Sequence, residues 1–531
     1  MIRKTRLHVL LTAVVGCVAL LLGACGGDGG GDPAPAAESA GPTGGATGEP
    51  VPGGEAYGLM IGEPRSLDPA LIGNAYAATP VLGNALYGTL MIDNEDGEIE
   101  YRMAESFTTD DGGATFTLRL RPNLVFSDGT PLNAEAVKFN WDRIKDPATG
   151  SAYRPEASMV ASTEVVDDLT LKVTMVEPVP RYAQTVLTTA MNWIASPAAL
   201  RQGQAAFDEN PVGAGPFTLE SWTRQAEIRL VKNPKYWDAP KPYLDRLTIR
   251  AAVEATQRYN TVLTGGADVA IESSWVNLDR AAEAGLSTDI LPINGGLFMA
   301  MNTRRPPFDD IRARQAVAAA IDLEAVNQAV YNGVGKPADT LFSESSPFYS
   351  DTPLHRTDRA TAQRLFEELA AEGKPVSFTF TSFPSSENRA VAENVQAQLS
   401  AFDNVKVEIK VVETAELGRL RATHEFDVLV TSAFFQDPEP RLWTVFSSGS
   451  AANLSGVADP ALDEALLTGR TAASEQERKA AYDTVQQRLA ALTPVVFLQR
   501  VALGAVAGRN VGGLAQYGNG SLLPEELWIQ Q

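Results

Sequence analysis

Along most of the chain the apolar residues recur with a definite period, and the period predicts the elements. Phe116, Leu118 and Leu120 alternate with Thr117, Arg119 and Arg121, which predicts a half-buried strand. Val137, Trp141 and Ile144 share one face of a helix that Asn133 can cap. Val165-Val166, the turn Asp167-Asp168 and the run 169–175 predict a hairpin. Ala313, Ala316, Val317 and Ala320 fall at helical spacing behind Asp310, and a second helix starts at Asp322 and stops at Gly333. The unbroken apolar run at 297–301 and the run 426–430, apolar but for Asp427, predict buried strands.

From 361 onward the two periods take turns. Helix 361–371, strand 376–381, helix 387–399 and strand 405–411 predict βαβ units and a mostly parallel sheet. A long helix over 472–492 and a last apolar strand over 495–501 follow. Shorter predictions are a strand near 56–61, a helix over 258–263 and a strand over 267–271.

The first residues have a different pattern. Arg3, Lys4 and Arg6 precede an apolar run over 9–22, the layout of a secretory signal peptide spanning 1–24. The run is short for a membrane span. It ends in Leu22-Gly23-Ala24-Cys25, which resembles a bacterial lipobox; the resemblance implies cleavage before Cys25 and a diacylglycerol on its sulfur. Residues 26–54 are rich in Gly, Pro, Ala and Ser and have almost no large apolar side chain, so they predict a flexible tether between anchor and folded body. The chain is expected to sit outside the cytoplasm, anchored to the cell membrane without crossing it.

Composition narrows the chemistry. A length of 531 residues predicts two or three domains, and a net charge of -21 argues against a nucleic-acid partner. Cys17 and Cys25 are the only cysteines, and both lie at the N-terminus, so the folded body has neither a disulfide nor a thiolate metal site. Besides His8 only His355 and His424 occur, without ligand spacing. No metal, no cofactor and no histidine-based catalytic triad is expected. The Gly/Pro-rich run 211–217 lacks the lysine of a phosphate-binding loop.

One stretch gathers aromatic rings, carboxylates and a guanidinium where the apolar run 426–430 ends. It reads Phe434-Phe435-Gln436-Asp437-Pro438-Glu439-Pro440-Arg441-Leu442-Trp443. In an open α/β domain the end of a strand is where a ligand crevice forms.

Several segments together resemble the extracellular solute-binding proteins of peptide- and nickel-type ABC importers (family 5). They are Ser66-Leu67-Asp68-Pro69; Leu118-Arg119-Leu120-Arg121 with Phe126-Ser127-Asp128-Gly129-Thr130-Pro131; the run 211–217 with Asn233-Pro234-Lys235-Tyr236-Trp237; and Asn302 followed by Pro306-Pro307-Phe308-Asp309-Asp310-Ile311-Arg312 and Ala319-Ala320-Ile321-Asp322. The resemblance implies an α/β, two-lobed periplasmic-binding-protein-like fold (class II, cluster C) with an extra α+β domain. Lobe I would comprise 55–86, 209–297 and 497–531, the extra domain 87–208 and lobe II 298–496. Strands at 291–298 and 495–500 would cross between lobes that close about a hinge.

It also implies a monomeric receptor, not an enzyme, that captures an oligopeptide-like solute and hands it to ABC transporter permease subunits. Positions carried over as ligand-binding are Asn74, Tyr76, Glu272, Ser273, Trp275, Phe298, Met299, Phe434, Phe435, Gln436, Asp437 and Trp443; Tyr76 and Trp275 equally suit a core. Peptide-binding relatives have an aspartate in this stretch that grips the peptide α-ammonium. Here either Gln436 or, with one residue deleted, Asp437 falls at that place, and glutamine is no equivalent of a carboxylate. The same receptor role for an oligosaccharide, an opine-like compound, haem or a chelated metal is the alternative. A hydrolase using Asp437 and Glu439 as adjacent exposed acids, or a lipoprotein sensor or chaperone, is more remote.

Overall fold

The computed structural model describes residues 44–74, 79–94, 97–413, 416–472 and 474–530. The signal peptide, Cys25 and Tyr76 lie outside the described residues, as do residues 26–43 of the tether; residues 44–54 lie against the body, with Ala46 N–H donating to Val511 O and Gly53 N–H to Tyr243 O. Among the described residues no helix is long and apolar enough to cross a membrane.

Three sheets organise the chain. The largest has seven strands in the spatial order Ser287–Leu291, Leu503–Ala507, Val269–Glu272, Glu55–Met60, Arg246–Ala251, Glu227–Lys232 and Phe217–Thr223. Glu55–Met60 runs parallel to both its neighbours, and the remaining pairs are antiparallel. A four-stranded antiparallel sheet is built from Ala104–Thr108, Thr115–Leu120, Thr170–Met175 and Val160–Asp167. The helix Ala134–Lys145 packs on this sheet, and Asn133 caps it by accepting the Ala136 N–H at 3.1 Å.

The third sheet has the order Val405–Val411, Val376–Ser382, Val428–Phe435, Asn294–Met301 and Val495–Gln499. Only half of its pairings are parallel, where a mostly parallel sheet was expected. Val376–Ser382 is parallel to both its neighbours, whereas Asn294–Met301 is antiparallel to Val428–Phe435 and Val495–Gln499. Connectivity is the reason. Asn294–Met301 arrives directly from Ser287–Leu291 of the seven-stranded sheet, and Val495–Gln499 leaves directly for Leu503–Ala507 of it. Asn294–Met301 is therefore not delivered by a crossover helix, which is what brings strands in parallel; Val495–Gln499 is, through Glu475–Leu492, and pairs antiparallel because the strand beside it is the reversed one. Both faces of this sheet are covered. Met299, Met301, Val430 and Leu498 belong to one core, and Phe298, Ala300, Leu429 and Phe497 to the other. Burial on two faces explains the apolar runs in the sequence.

The helices start where their caps predict. Asp310 accepts from Arg312 N at 3.0 Å, and Asp322 from Glu324 N at 2.9 Å and Ala325 N at 3.1 Å. The second of these helices, Leu323–Tyr331, ends on Asn332 in the left-handed conformation, one residue before Gly333. Two boundaries differ from expectation. The strand predicted at 426–430 extends to Phe435, because eight residues of Asn294–Met301 pair along it. The long C-terminal helix is Glu475–Leu492, and a separate helix Pro460–Thr471 precedes it. These two lie so close that a Cβ on Gly469 would meet the Tyr482 ring at 2.7 Å.

The chain passes between the seven- and five-stranded sheets twice, at 292–293 and 500–502. Arg500 pins the second passage. Its guanidinium donates to Gly295 O at 2.7 Å, Leu341 O at 3.1 Å, Thr340 Oγ1 at 3.0 Å and Phe342 O at 3.0 Å. Its backbone N–H donates to Lys336 O at 2.7 Å, and its carbonyl accepts from Trp275 Nε1 at 2.9 Å. Burial lowers its pKa to about 10, opposed only by the charge of Asp339. Arg500→Met removes a donor from four acceptors, of which Leu341 O keeps the Gly295 N–H and Phe342 O keeps the Thr340 hydroxyl, and should destabilise the fold by roughly 2–4 kcal/mol. Arg500→Lys should recover only part of this, because an ammonium lacks the planar fork. Thermal and denaturant unfolding of the three proteins measures both effects; equal stability of all three would refute this role for Arg500.

Candidate functional site

The strand Val428–Phe435 ends against a cavity of about 230 Å³, and the residues after it form one wall. This wall is rigid for local reasons. Asn294 Nδ2 donates to Gln436 O at 2.8 Å, and the Glu439 N–H turns back on Asp437 Oδ1 at 3.0 Å. The helix Arg441–Phe446 then begins, with Leu442 N–H donating to Pro438 O at 2.9 Å. The facing wall comes from far away in sequence: Asn74, Asp93, Tyr153, Glu156, Gln184 and Asn519 all border the cavity. Asn74 is fixed there by Nδ2 bonds to Leu187 O at 3.0 Å and Thr189 O at 3.1 Å, while its N–H donates to Tyr153 OH at 2.6 Å.

The cavity carboxyl groups differ sharply in state. Asp437 accepts two bonds from the buried Arg478 guanidinium, at 2.8 and 3.1 Å, and Arg181 lies 4.0 Å from it. Arg478 in turn lies over the rings of Phe348 and Tyr482. Asp437 is therefore already charge-paired within the protein. Glu439 is 5% exposed and neither of its oxygens has a hydrogen-bond partner. Burial pushes its carboxyl up to about 8; Arg470 pulls the other way, and Asp437 and Arg478 contribute less. Arg470 Nε stands 3.6 Å away, within ion-pair range but too far for a hydrogen bond, and it does not offset the desolvation. Glu439 is thus a neutral acid at pH 7. The two acids were expected to be exposed; the structure buries Glu439 and half-buries Asp437, because their loop folds inward beneath Arg470 and Arg478.

Asp93, with burial pushing it up to about 6, accepts from Gly518 N–H at 2.6 Å. The Gln436 amide nitrogen faces it, donating to Asp93 Oδ2 at 2.6 Å and to Gly518 O at 3.2 Å. Gln436 thereby ties one wall to the other. Glu156 Oε2 is buried without a partner, and its pKa is raised by burial and lowered by the charge of Arg441. Arg441 lines the cavity with one hydrogen bond to protein, Nη2 to Ser432 O at 2.7 Å.

Of the positions singled out in the sequence, Asn74, Phe434, Phe435, Gln436 and Asp437 border this cavity. The Phe435 ring itself packs in the core against Phe342 at 5.8 Å. Tyr76 lies outside the described residues, and the rest lie elsewhere. Phe298 and Met299 belong to the cores on opposite faces of the five-stranded sheet, since adjacent strand residues point to opposite faces. Trp443 packs at the edge of a core with Arg470 over its ring at 5.3 Å. Glu272 is 1% exposed, paired with Arg258 at 3.4 Å, and accepts from Ser273 N and Ser274 N at 2.8 and 2.9 Å. It fixes the start of the helix Trp275–Glu283, and Trp275 bonds to the Arg500 carbonyl.

Sequence reasoning missed Asp93, Tyr153, Glu156 and Gln184. Each lies in a short or irregular element without any motif, such as the four-residue helix Arg154–Ala157. Only Arg441 lay within the stretch already marked. Among the described residues no group of three His, Cys, Asp or Glu side chains is placed to hold a metal ion.

Comparison with known proteins follows this geometry. Residues 98–453 match the model of bacterial extracellular solute-binding proteins, family 5. The glutathione-binding protein GsiB of Pectobacterium atrosepticum is 28% identical over 469 residues, covering 84% of this chain and 89% of the relative. GsiB of Escherichia coli strain K12 is 28% identical over 443 residues, 78% of this chain and 84% of the relative. The binding protein AgaA from A. tumefaciens R10, solved with agropinic acid, superposes with a TM-score of 0.76 at 25% identity, over 90% of this chain and 99% of AgaA. The oligopeptide-binding protein AppA of Bacillus subtilis, solved with a nonapeptide, gives 0.76 at 22% identity, over 91% and 100%. The fold is therefore the two-lobed periplasmic-binding-protein-like α/β fold with an extra α+β domain.

The state of Glu439 has a measurable consequence. The folded chain keeps a proton that the unfolded chain releases above the ordinary value of 4.5, so stability falls as pH rises from there to about 8. Glu439→Gln abolishes this loss and should be more stable than the parent by roughly 1–3 kcal/mol at pH 8, with little advantage at pH 4.5. Thermal melts of both proteins across this range check the sign; a variant whose disadvantage grows with pH would contradict it.

Proposed function

The chain belongs to the bacterial extracellular solute-binding proteins of family 5, and on that premise we propose that it is a lipid-anchored receptor. It captures a compact, peptide-like solute outside the cytoplasm and delivers it to the permease of an ABC importer. The observation that carries this reading is the cavity between the end of Val428–Phe435 and the wall of Asn74, Tyr153 and Glu156. At about 230 Å³ it lies below the range usual for drug-sized ligands, which favours a small solute over a long peptide. GsiB, named for binding glutathione, and AgaA, solved with agropinic acid, are relatives whose ligands are of this kind.

The lobes are those expected from the resemblance, with edges moved to the two chain passages. Lobe I takes 55–86, 209–292 and 501–531, the extra domain 87–208, and lobe II 293–500. The passages at 292–293 and 500–502 are the hinge, and closing about it encloses the solute. Asp437, already engaged by Arg478, is not the group that holds a solute ammonium. The same engagement makes it a poor general base, which disfavours a hydrolase. Cys25 carries the lipid, and the Gly- and Pro-rich residues 26–43 give the body reach from the membrane, since the tether's last residues are hydrogen-bonded to the body.

Mass spectrometry of small molecules that co-purify with residues 26–531, followed by calorimetry with the identified compound, tests the receptor. We expect one solute per chain with micromolar or tighter affinity. Absence of any bound or titratable solute, or turnover of one, would remove the reading. Cys25→Ser in the full-length chain should end incorporation of labelled palmitate and shift the protein from the membrane fraction to the soluble one. Unchanged labelling would refute the anchor.

A further inference from the structure

The cavity holds a carboxyl group and a guanidinium whose hydrogen bonding the protein leaves incomplete, on opposite walls. Glu156 stands on the short helix Arg154–Ala157, with Oε2 buried and accepting nothing. Arg441 opens the helix after Pro440 and spends one of its five N–H donors, on Ser432 O. Each feels the other's charge, yet no hydrogen bond or ion pair joins them. Arg441 also bears the repulsion of Arg421 and the loss of hydration. Buried charges without partners are unfavourable, and a direct pair would relieve both. The two stay unpaired: Arg441 is anchored to Ser432 on the strand Val428–Phe435, and Glu156 belongs to a different part of the chain.

The other charged groups of the cavity do not fill the gap. Asp437 is paired with Arg478, Asp93 is bonded by Gly518 and Gln436, and Glu439 is neutral. Beside Glu156, Tyr153 accepts the Asn74 N–H through its hydroxyl oxygen, which leaves its own O–H to donate to a solute.

Resting on the receptor reading, we propose that the solute is zwitterionic. Its ammonium docks on Glu156 and its carboxylate on Arg441, so that one solute completes both half-pairs. The ammonium is thereby held by the wall opposite the Phe434–Trp443 stretch, and a peptide-like solute lies in the cavity with its charges reversed relative to a grip by Gln436 or Asp437. Charge-assisted bonds of this kind are stronger than neutral ones and strengthen further in a desolvated cavity. They therefore select the two charged groups more than the side chains.

The test measures binding of glutathione and of the dipeptide Met-Leu by calorimetry at pH 7, each as the free compound, with its amine acetylated and with its carboxylates amidated. The receptor is the parent protein, Glu156→Gln or Arg441→Gln, and thermal melts confirm that both variants are folded. At least one free probe should bind the parent, and each blocking group should weaken it tenfold or more. Glu156→Gln should cancel the difference between the free and acetylated forms, and Arg441→Gln that between the free and amidated forms. Blocked probes that bind as tightly as free ones, or variants that weaken all three forms equally, overturn the assignment. If neither free probe binds while a co-purified solute lacking either charge does, the assignment fails and the receptor reading stands. If no solute binds at all, the receptor reading fails first.

Discussion

Arg500 holds the molecule where its two large sheets meet. A guanidinium carries donors in a fixed planar fork, and here the fork is filled by acceptors from two segments, Gly295 on one and Thr340, Leu341 and Phe342 on the other. None of these acceptors is charged, so the cation is held by geometry alone. Gly295 and Gly296 allow the required approach. A Cβ on the first would lie 2.0 Å from Ala433 O, and one on the second 2.2 Å from Gln499 O. Gly295 pairs with Phe434, and Asn294 supports Gln436. The passage between the sheets and the wall of the cavity are thus one mechanical unit, two residues apart.

The electrostatics of the cavity follow from what that unit presents. Desolvation acts on every charged group there, and the partners decide the outcome. Arg478 occupies both oxygens of Asp437 through its Nη2. Arg470 stands too far from Glu439 to do the same, so that carboxyl keeps its proton. Glu156 and Arg441 are held apart by the backbones that carry them. Four carboxyl groups and one arginine border a single small space, and the same physics gives each a different chemical state.

Part of this was legible in the sequence. Periodicity located most strands and helices, and the caps Asn133, Asp310 and Asp322 marked helix starts, because a cap is satisfied by N–H groups two or three residues away. The stretch after residue 426 was marked as a ligand wall on local composition, and Gln436 and Asp437 do border the cavity. Glu272 and Trp275 look like binding residues by type, but they serve a helix start and the Arg500 carbonyl. Asp437, an acid expected to be exposed, is half-buried and held by a cation 41 residues away in the chain.

By itself the sequence determined the elements, the α/β class and the family, because these rest on short-range spacing and on an ordered set of motifs. Tertiary structure alone decided which groups face the solute and in what state. Glu156 and Arg441 lie 285 positions apart by their numbers, and no local pattern links them. Sheet direction was equally undetermined: a strand's period is the same whether its neighbour runs parallel or antiparallel, and only the route of the chain between sheets makes the choice.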